Sequence, residues 1–214
     1  MKFRLVDLTH TISEDMPVYP GDNSPRINGL FNHNFDGFQE LELVLSTHSG
    51  THIDVPLHFF KGKDSIASLA LNSFFGKAMV INCLELKDEI PQSLLERNQN
   101  RLADTDFVLF NTGCDQWWGN EKYFNNFPVL SEDAAEYLLS FEIKGIGFDT
   151  PSADPVTSEH FLIHNLILKN NLIIIENLTG LSDLPVEGFY FSCFPLKITN
   201  GDGSPVRAVA YLPE

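Results

Sequence analysis

The sequence predicts an α/β protein with a mixed sheet, and three observations carry that prediction. Short apolar runs of strand length recur along most of the chain. Stretches with helix-start signals fall between them. The two kinds of segment alternate instead of separating into blocks, as they do where helices flank a sheet.

In chain order, strands are expected over residues 40–46, where apolar and polar residues alternate, and over 78–84, 107–111, 145–148, 172–175, 189–194 and 206–212. Most of these are short and apolar, as buried strands are. Helices are expected over 65–71, 93–98, 131–140 and 158–170. The third begins Ser131-Glu132-Asp133 and the fourth Thr157-Ser158-Glu159, each a capping hydroxyl followed by acids that complement the helix dipole. No repeat, low-complexity tract or Gly/Ser-rich linker marks a boundary, so residues 1–214 are read as a single domain.

The composition excludes several function classes. A net charge of −15, from 14 basic and 29 acidic residues, opposes a grip on phosphate backbones or anionic membranes, so neither nucleic acid nor membrane is an expected partner. Cys83, Cys114 and Cys193 are too few and too scattered for a disulfide framework or a Cys-x-x-Cys metal motif. No apolar stretch approaches the roughly 20 residues of a membrane span, and the start lacks a signal-peptide pattern. A cytoplasmic protein is the expectation.

The densest chemical signal is His48-Ser-Gly50-Thr-His52-Ile-Asp54-Val-Pro56-Leu-His58, three of the seven histidines and an aspartate in one short segment. Imidazole and carboxylate are the ligands of zinc, manganese and iron, and crowding them is costly without a cation. These residues share one parity, the period of a strand face. A straight strand would nonetheless hold the Cα atoms of His48 and His52 about 13 Å apart, too far to share one ion comfortably. Gly50 and Pro56 therefore predict a curled strand or loop.

A second signal lies downstream. Glu176 ends the apolar run 172–175, where a buried carboxylate needs a cation, an arginine or a helix N-terminus to offset desolvation. His160 and His164 precede it four positions apart, on one face of the expected helix, and spacing alone does not choose between them. With one of them added, the N/O ligands suffice for two divalent cations with Asp54 as bridge, and His58 is left to move protons.

The unbroken His-x-Gly-Thr-His-x-Asp-x-Pro-x-His motif resembles the metal-dependent cyclase family, which includes bacterial kynurenine formamidase and isatin hydrolase. Four flanking segments agree: Asp7-Leu-Thr-His10 with Met16-Pro-Val-Tyr19-Pro-Gly-Asp22, Asn111-Thr-Gly113 with Trp117-Trp118, Gly147-Phe-Asp149-Thr-Pro-Ser152-Ala-Asp154, and Asp202-Gly-Ser-Pro-Val-Arg207. The resemblance implies a swivelling β/β/α fold, a homodimer or homotetramer, and two zinc ions per subunit, with manganese the alternative. It assigns His48, His52 and Asp54 as ligands and His58 as proton carrier. Its distal ligand pair is twelve positions apart, which selects His164 with Glu176. Tyr19 stands where kynurenine formamidases carry a substrate-stacking tryptophan, and Cys114 where a tryptophan is common.

The implied activity is metal-dependent hydrolysis of amide-type C–N bonds in a small-molecule substrate, of the arylformamidase kind, with metal-activated hydroxide as nucleophile. Ring opening of isatin-like cyclic amides is the alternative. A non-catalytic, metal-stabilised metabolite-binding protein is the alternative outside the enzymes. Tyr19, Phe59, Phe60, Trp117 and Trp118 are candidates to line the pocket.

Overall fold

A computed structural model describes residues 2–214. Among these residues the strands are β1 (Phe3–Asp7), β2 (Arg26–Phe31), β3 (Glu40–Val44), β4 (His52–Asp54), β5 (Phe75–Asn82), β6 (Glu89–Ile90), β7 (Phe107–Asn111), β8 (Val129–Leu130), β9 (Gly145–Phe148), β10 (Ile173–Glu176), β11 (Phe189–Ser192), β12 (Gly203–Pro205) and β13 (Val209–Pro213). The helices are α1 (His33–Asp36), α2 (Gln92–Glu96), α3 (Gln99–Leu102), α4 (Glu132–Leu138) and α5 (Leu162–Lys169).

Nine strands form one mixed sheet in the order β1-β13-β11-β5-β7-β9-β10-β4-β12. Its middle, β5-β7-β9-β10, is parallel, and every outer pairing is antiparallel. The four parallel strands are the apolar runs expected from the sequence, because both their faces are covered. On one face Met79, Ile81, Val108, Phe110, Ile146, Phe148 and Ile174 pack under Leu95, Ala134, Leu138, Ile163 and Ile167 of α2, α4 and α5. Each such side chain contributes about 1.5–3 kcal/mol by leaving water.

The other face closes on itself. Residues 206–208 alone separate β12, at one end of the strand order, from β13 near the other, so the sheet curls until its margins approach. Val206 N donates to Thr51 O at 3.0 Å and Leu8 N to Ala208 O at 2.9 Å across this closure. Val80, Leu109, Ile175, Phe191 and Ala210 fill the curl. β9 presents Gly145 and Gly147 to it, and a Cβ on Gly145 would stand 2.7 Å from the Ile173 carbonyl oxygen. Two sheet walls and a helical layer give the α/β, β/β/α arrangement expected above.

Two expected helices differ from those observed. Over 65–71 the chain forms turns, then a 3-10 turn at Leu71–Phe74. The Ser68 hydroxyl donates to Ser65 O at 2.9 Å and accepts from Ser65 N at 2.9 Å, so local side-chain bonds replace the helical ladder. The helix expected over 158–170 begins only at Leu162, because Phe161 sits in the left-handed region at φ 45°. Ser158 does cap locally, accepting from Phe161 N at 3.0 Å, but His160 is thereby left off the helix and exposed. Ser131 caps α4 as expected, accepting from Ala134 N at 3.1 Å. No helix among the described residues is long and apolar enough to cross a membrane.

Candidate active site

The 48–58 segment bends at both predicted points. Gly50 adopts φ 64°, and Ser49 N closes a turn onto Ser46 O at 3.2 Å. Only His52–Asp54 remains as strand, and Pro56–His58 turns away as a 3-10 turn. The bend brings the His48 and His52 ring centroids to 5.2 Å and those of His48 and His58 to 4.1 Å.

Register supplies the other half. β4 pairs antiparallel with β10, so His52 lies opposite Glu176 and Asp54 opposite Ile174, with His52, Asp54 and Glu176 on the helix-covered face. Glu176 is the last residue of β10, at the carboxyl end of a parallel strand, where α/β sheets place their ligand sites. His164 enters from α5, which packs against β10. Asp154 aims it: the Ile163 and His164 amides donate to this carboxylate at 2.9 and 3.0 Å, and His164 Nδ1 donates to it at 2.7 Å.

Four side chains converge with the spacing of coordinating atoms. His52 Nε2 lies 3.4 Å from Asp54 Oδ1 and 3.5 Å from Glu176 Oε2. His164 Nε2 lies 3.5 Å from Asp54 Oδ2 and 3.2 Å from Glu176 Oε1. Tetrahedral ligands at about 2.0–2.1 Å from an ion stand about 3.3–3.4 Å apart, so these contacts fit edges of a coordination shell. His52 Nδ1 donates to Gly50 O at 2.8 Å, as His164 Nδ1 does to Asp154, which turns both Nε2 atoms inward.

The electrostatics suit a cation. Asp54, Asp154 and Glu176 are 1%, 2% and 5% exposed, and among the described residues their salt-bridge partners are histidines alone, with no lysine or arginine. Burial opposes charge on His164, yet Asp154, Asp54 and Glu176 hold its pKa well above the ordinary value. Burial likewise opposes ionisation of Asp54, and His48 and His52 keep its pKa well below the usual carboxylate range. Three buried carboxylates whose ion-pair partners are imidazoles alone suit a divalent ion of the zinc or manganese kind. No cysteine lines the site, which separates it from cysteine-rich structural zinc sites.

His48 and His58 form the outer part. Both His48 ring nitrogens are engaged, Nδ1 with Asp54 Oδ1 at 2.7 Å and Nε2 with Asp202 Oδ2 at 2.9 Å. Burial pushes its pKa down, but Asp54 and Asp202 raise it to about 10. As an ion ligand His48 would exchange one of these bonds for the metal. His58 Nδ1 lies 3.2 Å from Asp202 Oδ2, and burial lowers its pKa, favouring the neutral ring. His48, Asp54 and His58 also offer atoms within 4.8 Å of one another, so distance alone leaves His58 as a further ligand. Its side chain is 28% exposed, against 4% for His52 and 5% for His164, and that openness suits proton transfer better.

All six of these sequence-predicted residues and Tyr19 line one pocket of about 510 Å³. Tyr19, Phe59, Phe124 and Phe161 form its aromatic walls. Phe60, Trp117 and Trp118 do not line it, and Trp118 stacks on His10 at 3.8 Å instead. Sequence reasoning passed over Asp154 and Asp202 as individual residues, although both lie in flanking segments it singled out.

A curled α/β sheet with a buried histidine and carboxylate cluster at one strand end defines a class of proteins whose site could hold a divalent cation. The family model for putative cyclases matches residues 6–155, and the chain belongs to that family. It is similar to the kynurenine formamidase of Bordetella pertussis, 32% identical over 210 residues, 96% of this chain and 97% of that enzyme. Among solved structures it is similar to an isatin hydrolase bound to the product analogue thioisatinate, with a TM-score of 0.91 and 27% identity over 100% of this chain and 94% of that one. It is also similar to a potential metal-dependent hydrolase with cyclase activity, with a TM-score of 0.81 and 27% identity over 99% of each chain.

Proposed function

We propose that the protein is a metal-dependent hydrolase of C–N bonds other than peptide bonds, acting on aryl formamides of the N-formylkynurenine kind. The observation that carries this reading is the group of buried carboxylates whose ion-pair partners are histidines alone, at the base of an aromatic-walled pocket. His52, Asp54, His164 and Glu176 are the proposed holders of the ion, two zinc ions being the number that the resemblance implies, with His48 joining them. A divalent cation there supplies Lewis acidity toward a carbonyl group and toward water.

The chain's own groups do the rest. Tyr19, Phe59 and Phe161 pack an aryl ring and exclude water, and the Tyr19 ring can stack as a tryptophan would. His58 accepts a proton as a tetrahedral intermediate forms and returns it to the departing nitrogen. An aniline-like leaving group eases that collapse. Ring opening of isatin-like lactams is the second reading, favoured by the similarity to isatin hydrolase over the full chain. A panel of N-formylkynurenine, a simple aryl formamide, isatin and an alkyl formamide decides between them. Turnover of the aryl formamides above isatin and the alkyl formamide is the expected result, and isatin as the best substrate would establish the second reading.

Homodimer formation belongs to the same proposal, with the β2–β3 ribbon as the contact. On one face of the ribbon Asn28 donates to Glu42 at 3.0 Å; on the other, Ile27 pairs with Leu43 and Gly29 with Leu41. Leu41 and Leu43 are 47% and 54% exposed, so their own chain leaves this apolar face largely uncovered. A lone two-stranded ribbon is marginal in water. Residues 26–44 also approach the roughly 20–30 residues that each side of a standard interface supplies, which suits a second copy as the cover. Light scattering should give a dimer for the native chain and a monomer for the double substitution Leu41→Lys, Leu43→Lys. A dimer that survives the substitutions would place the contact elsewhere.

A further inference from the structure

We infer that Asp202 is a positioning residue for His58, holding the tautomer and ring orientation in which that histidine moves protons. The inference rests on the hydrolase reading and adds a residue to it. Asp202 lies just before β12, far from the motif in sequence, yet Val55 N donates to its carbonyl oxygen at 3.1 Å and Ile66 N to that of Gly201 at 2.9 Å. These backbone bonds fix Asp202 on either side of the Pro56–His58 turn. Its side chain is fixed as well, because the Thr47 hydroxyl donates to Oδ1 at 2.9 Å, leaving Oδ2 to face the histidines.

Oδ2 is the sole hydrogen-bond partner of the His58 ring among the described residues, at 3.2 Å from Nδ1. A proton on Nδ1 leaves the lone pair on Nε2, and that tautomer is the one able to accept a proton there. Carboxylate–imidazole pairs of this kind orient histidines in metal sites and in hydrolytic triads. Nothing else fixes the ring so directly: its neighbours His48 and Phe59 offer only ring faces and edges, at centroid distances of 4.1 and 4.9 Å. The same Oδ2 also accepts from His48 Nε2 at 2.9 Å, so the competing role is support of the ion through His48.

Three measurements on Asp202→Ala and Asp202→Asn separate these roles. Nitrogen-15 NMR of the metal-loaded protein should show His58 as the Nδ1–H tautomer, that tautomer should be lost in Asp202→Ala, and Asp202→Asn should recover most of it through its amide oxygen. This readout needs no substrate, so it stands or falls apart from the hydrolase reading. On whichever panel substrate the native enzyme turns over, kcat of Asp202→Ala should fall about 10–100-fold with KM and bound metal per chain unchanged. An unchanged tautomer would overturn the inference. So would a loss of bound metal whose replacement restores kcat, since Asp202 would then act on the ion through His48.

Discussion

Asp54→Ala is expected to remove bound divalent metal and to lower kcat/KM by about 10³-fold or more, beyond the 10–100-fold typical of residues that merely orient ligands. Asp54 meets three histidines with its two oxygens, one more than Glu176 does. Oδ1 meets His48 at 2.7 Å and His52 at 3.4 Å, while Oδ2 meets His164 at 3.5 Å. Alanine therefore removes the oxygens that His48, His52 and His164 face and leaves His48 with Asp202 alone. The fold should survive, because Ile53 and Val55, which hold this strand in the core, are untouched. Metal analysis, steady-state kinetics and a melting curve on one preparation check this. A folded Asp54→Ala protein that keeps its metal and its rate would remove Asp54 from the site.

His58→Ala should behave differently, losing about 10²–10⁴-fold in kcat while keeping its metal. The His58 ring nitrogen that has a partner bonds Asp202, and the ring lies against His48 at 4.1 Å between centroids, farther from His164 at 6.3 Å. A parallel loss of metal would make His58 a ligand, as its proximity to Asp54 and His48 permits. Full activity would end its role as proton carrier.

The legible parts of the fold are those whose side chains face one environment throughout. β7 and β9 run as expected because both their faces are buried, so an unbroken apolar run encodes them. β4 and β12 have three residues each, and polar residues in them take partners from remote segments, as His52 takes Glu176 and Ser204 takes Ile53. No local pattern announces such pairings. The near half of the site was plain because three histidines in eleven residues are rare without a purpose. The far half was not, because His160 and His164 look equivalent while a helix is assumed to carry both. The left-handed turn at Phe161 breaks that equivalence, and the contact of the first α5 amides with Asp154 fixes that start. Asp154 and Asp202 carried the weakest signal, since an aspartate among glycine, serine and proline resembles any exposed turn.

On the proposed reading, the buried histidine and carboxylate cluster holds a divalent cation that C–N bond hydrolysis requires. Its most direct test is turnover of N-formylkynurenine and isatin by protein stripped with a chelator and verified metal-free, before and after zinc or manganese is returned. Background rates for the stripped protein and recovery of hydrolysis on re-addition are the expected results. Full turnover by the verified metal-free chain would contradict that reading.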